Sequence, residues 1–296
     1  MLVSGRSCRS LGYQMSGSFT SSSLRAAFSH CVQQVRSYDY HHYLCLLELP
    51  PIMRKVAFAL RAFNVETSRA MDVSSDPKIG LMRLLWWQER SVQARVKDAR
   101  KQPNEIPETM EELEKYAEDT LATILYMTLE AGGIRSTTAD HAASHVAKAG
   151  GILLLLRSLP YHANRHRHSL YITRKIAEKH GLLVEKAGQK EIRIDSRESL
   201  CEAVFEMASV ANSHLEKARE LAGTVPREAL PVILLSVPAQ VLLDSLRKVQ
   251  FDVFDPRLGR GVLGISPLWY QLKVKWTSWS GKYSTFVART CFLKLP

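Results

Sequence analysis

The stretch from Ser136 to His168 constrains the fold more than any other. It encodes one long helix that needs cover, and it ends in a basic, histidine-rich exit. Ser136, Thr137 or Thr138 can accept a first-turn backbone N–H, Asp140 suits the positive end of the helix, and Pro160 is expected to stop it about five turns on. Ala142, Val146, Ala149, Leu153 and Leu156 recur at helical spacing and predict a buried face. The remaining segments supply partners of the same kind. Ile52 to Met71 predicts a helix with Val56, Leu60, Phe63 and Thr67 inward, and Lys78 to Lys97 carries Ile79, Met82, Leu85 and Trp86. Glu111 to Gly132 ends on a Gly132-Gly133 cap. Glu198 to Leu221 aligns Leu200, Val204, Met207, Ala211, Leu215 and Ala218, and Pro231 to Val249 is divided near Pro238. The sequence offers no strand pair, repeat or glycine-rich phosphate loop, so the expected fold class is all-α.

Within that first helix, KAGGILLLLRSLPYH resembles the second signature helix of the squalene/phytoene synthase family, all-α enzymes that join two isoprenoid diphosphates. The family pattern is roughly A-x-Q-L-T-N-I-L-R-D-x-x-x-D. Arg157 falls on its arginine, whereas the two metal-binding aspartates fall on Ser158 and His162. The family's first motif, D-D/E-x-x-D, falls on Ser68, Arg69 and Asp72, so only the last acid remains. Two carboxylates one turn apart share a helix face and can hold Mg²⁺ against a diphosphate; serine, imidazole and guanidinium do not make that site. FALRAFNVETSRAMDVSSDPKIGLMRLLWW, DHAASHVAKAGG and VQFDVFDPRL are similar to a mitochondrial, non-enzymatic branch of the family that serves assembly of respiratory complex I.

This resemblance, from about Tyr38 to about Tyr283, implies an isoprenoid synthase-like helical bundle. The chain is short between Gln88 and Met110, so some central helices are expected to be missing and one face of the core uncovered. It implies complex I subunits or assembly intermediates as partners, and no catalytic, cofactor or metal residue; Mg would be needed only by a catalytic protein. Arg157, Arg165, Arg167 and Tyr171 match the family arginine and its R-R-G-R-x-Y-L-P segment, and are candidates for residual phosphate or lipid binding. A solvent-exposed basic loop is the plainer reading. A prenyl-diphosphate transferase would instead need Glu66, Asp72 and Asp140 to converge on one cavity, and a lipid-binding module would use Gly150 and Gly151 for close approach of an apolar chain.

Charge divides the chain further. The formal net charge is +11, but residues 1–38 hold Arg6, Arg9, Arg25 and Arg36 with no acid. Residues 257–296 hold Arg257, Arg260, Lys273, Lys275, Lys282, Arg289 and Lys294, again with no acid, which leaves the middle neutral. A neutral body argues against nucleic acid as a partner. The expected divisions are a mitochondrial transit peptide over 1–37, a helical domain over 38–256, and a basic aromatic segment over 257–296. In the first, LRAAFSHCVQQVR is amphipathic with arginines at its ends, a composition that also suits a chloroplast address or an unaddressed N-terminus. In the last, LWYQLKVKWTSWSGKY sets three of the five tryptophans among lysines, as an inner-membrane surface on the matrix side favours; the alternative packs those rings on the domain. No apolar run of about 18 residues is expected to span a membrane.

Other patterns carry less. Five cysteines show no CxxC spacing and read as reduced packing residues. Asp72 and Asp76 fit D-x-x-x-D, but Pro77 pulls Asp76 out of helical geometry. Glu111, Glu112, Glu114, Glu118 and Asp119 read as a solvated face, and His141 with His145, one turn apart, lack the further ligands of a zinc site.

Overall fold

A computed structural model of the chain describes residues 21–69, 93, 95–98, 106–164, 171–186, 189–192 and 196–281. Among them α1 (Ser21–Tyr38), α2 (Tyr40–Leu46) and α3 (Pro51–Arg69) come first. Next come α4 (Met110–Ala117), a π turn (Glu118–Ala122), α5 (Thr123–Ala131) and α6 (Thr137–Asn164). A short α7 (Arg174–Lys179) leads to β1 (Leu183–Lys186) and β2 (Gln189–Ile192), then α8 (Arg197–Ala222), α9 (Leu230–Ile233), α10 (Ser236–Lys248) and α11 (Pro267–Ser280).

The core is built around α6, which packs most extensively on α8 and also on α4, the π turn, α5 and α10. Its expected stripe, Ala142, Val146, Ala149, Leu153 and Leu156, is buried throughout, as are all six apolar positions expected on α8. Ser136 caps α6, its Oγ accepting the Ala139 N–H at 3.4 Å. The expected stop at Pro160 does not occur. A proline removes one helical hydrogen bond and crowds the preceding turn, and here a single turn continues beyond it. That turn is held from outside, where the His162 ring meets Tyr171 edge-on at 5.3 Å.

Three other expectations change. On α3 the buried residues are Met53, Ala57, Phe58, Arg61, Ala62, Asn64, Val65 and Thr67, whereas Val56 is exposed and Leu60 and Phe63 are half-buried. α3 is flanked by α1 and α5 on two sides, so its buried arc is broad and rotated from the predicted stripe. The antiparallel hairpin β1–β2, with Leu183 opposite Ile192, is a local addition to an otherwise helical bundle that no residue pattern announced. Finally, Arg227–Lys248 is long and apolar enough to cross a bilayer, against the expectation of no such run, but 72% of its most apolar window is buried in the core. The break expected near Pro238 lies just before it, and Pro238 sits in the first turn of α10, where no helical N–H partner is needed. Most of the Lys78–Lys97 helix and the Gln88–Met110 junction, where helices were expected to be missing, lie outside the described residues.

At the two ends, α1 packs on α3 with Phe28 edge-on to Phe58 at 6.2 Å, and Val35 is fully buried. α11 packs on α2, and Tyr270, with no exposed surface, donates its hydroxyl to the His41 carbonyl at 2.9 Å.

Candidate functional site

The chain turns between α1 and α2 at Asp39, which places a carboxylate beside two histidines on the first turn of α2. Arg61, buried on α3, meets it there. Asp39 Oδ2 accepts from Arg61 Nε, and Oδ1 accepts from His42 Nδ1 at 2.7 Å. Arg61 Nη2 lies 2.5 Å from His42 Nδ1 and 3.2 Å from its Nε2, so the guanidinium packs along the imidazole edge as well as on the carboxylate. His41 Nε2 stands 3.1 Å from Oδ1 but is not aligned to bond with it. Burial alone would raise the Asp39 carboxyl; the Arg61 guanidinium, then His42 and His41, outweigh it and hold the group well below the usual carboxylate range. Burial pushes both histidines below the ordinary imidazole value, with Asp39 opposing.

Asp39, His41 and His42 bring three ligand atoms within 4.8 Å of one another, the geometry of a metal site. Arg61 already supplies the cation, with its guanidinium on the carboxylate and against His42. A divalent ion would have to displace a buried, hydrogen-bonded charge and leave it unpaired, which costs several kcal/mol, on the order of 3–5. The cluster is therefore an ion pair that ties α2 to α3. Nothing in the sequence marks D-x-H-H as a paired site, because its partner Arg61 stands 22 residues away.

The positions of the family motifs are equally unlike a diphosphate site. Ser68 Oγ donates to the Val65 carbonyl at 2.9 Å and Ser158 Oγ to the Leu155 carbonyl at 2.7 Å, so both hydroxyls are engaged by their own helices. Arg69 stacks its guanidinium 3.5 Å from the centre of the Tyr38 ring. His162 packs between the rings of Tyr161 and Tyr171. Tyr171 donates to Asp98 Oδ2 at 2.7 Å, and Arg157 is exposed on α6. Asp72, Arg165 and Arg167 lie outside the described residues. Around the end of α3, Arg95 donates to Asn64 Oδ1 at 2.5 Å and to Tyr116 Oη at 3.5 Å.

Of the acids that a transferase would need, the two described ones, Glu66 and Asp140, do not share a cavity. Glu66 lies 3.6 Å from His30 of α1, and Asp140 lines an open cavity of about 630 Å³ at the start of α6, with Tyr126, Glu130 and Ser136. Gly151 does not leave room for a lipid: a Cβ there would stand 2.4 Å from Ala117 Cβ, so the glycine admits α4.

Nor is the acidic cluster of α4 and the π turn simply solvated. Glu118 accepts from Tyr126 and from Ser144 Oγ at 2.5 Å, with Lys148 at 3.5 Å. Glu114 lies 3.4 Å from His214, whose Nδ1 is 2.9 Å from Nδ1 of His145. His145 thus pairs with α8 and not with His141, which is exposed. Burial, with His214 and two lysines adding to it, lowers His145 to about 4.

A bundle in which α3 and α6 occupy the places of two signature helices defines the class as the all-α isoprenoid synthase fold. Dehydrosqualene synthase superposes with a TM-score of 0.66, covering 86% of this chain and 98% of that one at 16% identity. Squalene synthase HpnC from Alicyclobacillus acidocaldarius gives 0.59, covering 79% and 97% at 15% identity. The squalene/phytoene synthase family model matches residues 35–104 and 89–263, and the chain belongs to that family. Relatives named NADH dehydrogenase (ubiquinone) complex I, assembly factor 6 from Mus musculus and Homo sapiens are each 34% identical over 260 residues, 77% of this chain and 76% of theirs. The Drosophila melanogaster homolog is 35% identical, over 75% of this chain and 76% of its own.

Proposed function

We propose that this chain is a non-catalytic member of the family that serves assembly of mitochondrial respiratory complex I, acting on complex I subunits or assembly intermediates at the matrix side of the inner membrane. One observation carries the non-catalytic half. Four of the five positions that hold Mg²⁺-binding acids in the family are Ser68, Arg69, Ser158 and His162, and their side chains bond or stack on neighbouring protein groups. The fifth, Asp72, cannot hold a diphosphate's metal ions alone. The assembly half rests on the relatives' shared name at about a third identity over most of both chains. The mitochondrial address is assigned to residues 1–37 on their basic, acid-free composition. The helical domain over 38–256 and the basic aromatic segment over 257–296 follow it.

Two measurements test this. Purified, folded protein incubated with farnesyl or geranylgeranyl diphosphate and Mg²⁺ or Mn²⁺ is expected to release no pyrophosphate and form no condensed product; turnover lost in Asp72→Ala would overturn the non-catalytic reading. Cells lacking the protein are expected to lose assembled complex I on native gels and regain it with the wild-type chain. Unchanged complex I would refute the assembly role.

A further inference from the structure

Helix α11 buries its polar-tipped face and exposes its greasy one. Tyr270, Val274 and Thr277 face the core, at 0%, 2% and 4% exposure. Leu268, Trp269, Leu272, Trp276 and Trp279 face outward, from 49% exposed at Leu272 to 81% at Trp279. At helical spacing these five fall within an arc of roughly 100° opposite the buried face. Lys273 and Lys275 border that arc on its two sides. The helix is also fixed against rolling. Besides the Tyr270 bond to His41, Lys275 pairs with Glu48 at 2.6 Å, Lys273 with Asp244 at 3.4 Å, and Gln271 donates to the Tyr40 hydroxyl at 3.2 Å. The apolar arc is thus a property of the folded chain, and contiguous patches of this kind mark interaction surfaces.

Its chemistry selects the occupant. Indole rings are amphipathic and concentrate at the headgroup level of bilayers, and long cationic side chains beside them reach up to the phosphates. The segment that carries the arc, residues 257–296, holds seven basic residues and no acid, and although Arg257, Lys273 and Lys275 each pair with a carboxylate of the fold, the surplus of positive charge complements an anionic lipid surface. Next to Arg260, exposed at the approach to α11, no carboxylate forms an ion pair among the described residues.

We propose that α11 is a membrane-docking helix that lies in the plane of an anionic bilayer, with Leu268, Trp269, Leu272, Trp276 and Trp279 in the headgroup region and Lys273 and Lys275 at its rim. This rests on the inner-membrane location proposed above, but it is read by lipid binding alone, so its failure would leave the complex I test untouched.

The test is sedimentation of the full chain with phosphatidylcholine vesicles, with and without phosphatidylglycerol, read together with tryptophan emission. The expected result is binding to the anionic vesicles with a blue shift, at least tenfold weaker on neutral vesicles. The variant Trp269→Ser/Trp276→Ser/Trp279→Ser changes only exposed residues and is expected to keep its helical circular dichroism and melting temperature while losing vesicle binding at least tenfold. Equal binding by that variant, or no binding by the wild type, would overturn the proposal. So would a wild-type dimer that ignores vesicles and that the same variant abolishes, because the arc would then be a contact between copies.

Discussion

Burial lowers His41, His42, His145 and His214 below the ordinary imidazole value in the folded protein, and the unfolded chain releases them to titrate near pH 6.5. The sign follows directly. A histidine whose folded pKa is depressed takes up a proton on unfolding, so stability is full above about pH 6.5 and falls as pH drops toward the folded value. For His145 that window runs from about 6.5 down to about 4. Asp39 adds a second loss only at lower pH, because its depressed carboxyl favours folding until the unfolded group protonates, near 3.9. Denaturant titrations between pH 7 and 4 are therefore expected to show stability falling with pH. In His145→Gln the slope should lessen by up to about one proton taken up on unfolding. An unchanged slope would mean that His145 is charged in the native state. None of this was legible in the sequence. His145 and His214 are 69 residues apart, and the spacing that was visible, His141 with His145, points to a face the structure leaves in water.

Elements were legible in proportion to how simply each is covered. α6 and α8 bury continuous stripes at helical spacing, and both stripes were read correctly from the sequence. α3 has neighbours on two sides, so a narrow stripe misplaced its core, and the π turn within Glu111–Gly132 has no residue signature at all. The paired glycines of α6 show the difference between a local and a tertiary reason for the same residue. A Cβ at Gly151 would meet Ala117 Cβ, which is fixed to the α4 backbone and cannot swing aside, whereas a Cβ at Gly150 meets nothing within 4 Å. Gly151→Ala is expected to cost about 1–3 kcal/mol by overpacking, seen as a lower melting temperature. Gly150→Ala is expected to be neutral or to gain up to about 1 kcal/mol from helix propensity. If the two variants melt alike, the α4–α6 contact is looser than described and a lipid could enter there.

Across the whole molecule, the family motifs could be placed from the sequence because they are local, while the buried Asp39–Arg61 ion pair could not. Arg61 reaches Asp39 across the α2–α3 turn, and α2 meets α11 only in three dimensions. Tyr270 stands 3.7 Å from the Cys45 sulfur, 225 residues away, and closes over it. Burial pushes the Cys45 thiol up to about 12, with the Tyr270 hydroxyl opposing, and the thiolate is the form that reacts. Cys45 is 1% exposed, whereas Cys31 and Cys201 are half-buried. In the native protein Cys45 should therefore be alkylated far more slowly than Cys201, as site-resolved mass spectrometry would show. Tyr270→Ala removes the cover from one side and frees α11 to open. It is expected to speed alkylation of Cys45 on the order of tenfold or more, through local opening, with the rate at Cys201 unchanged. Equal acceleration at both cysteines would mean that Tyr270 supports the entire bundle. No acceleration at Cys45 would mean that α2 is sealed without α11, and the exposed tryptophan face would then belong to a helix the core does not need.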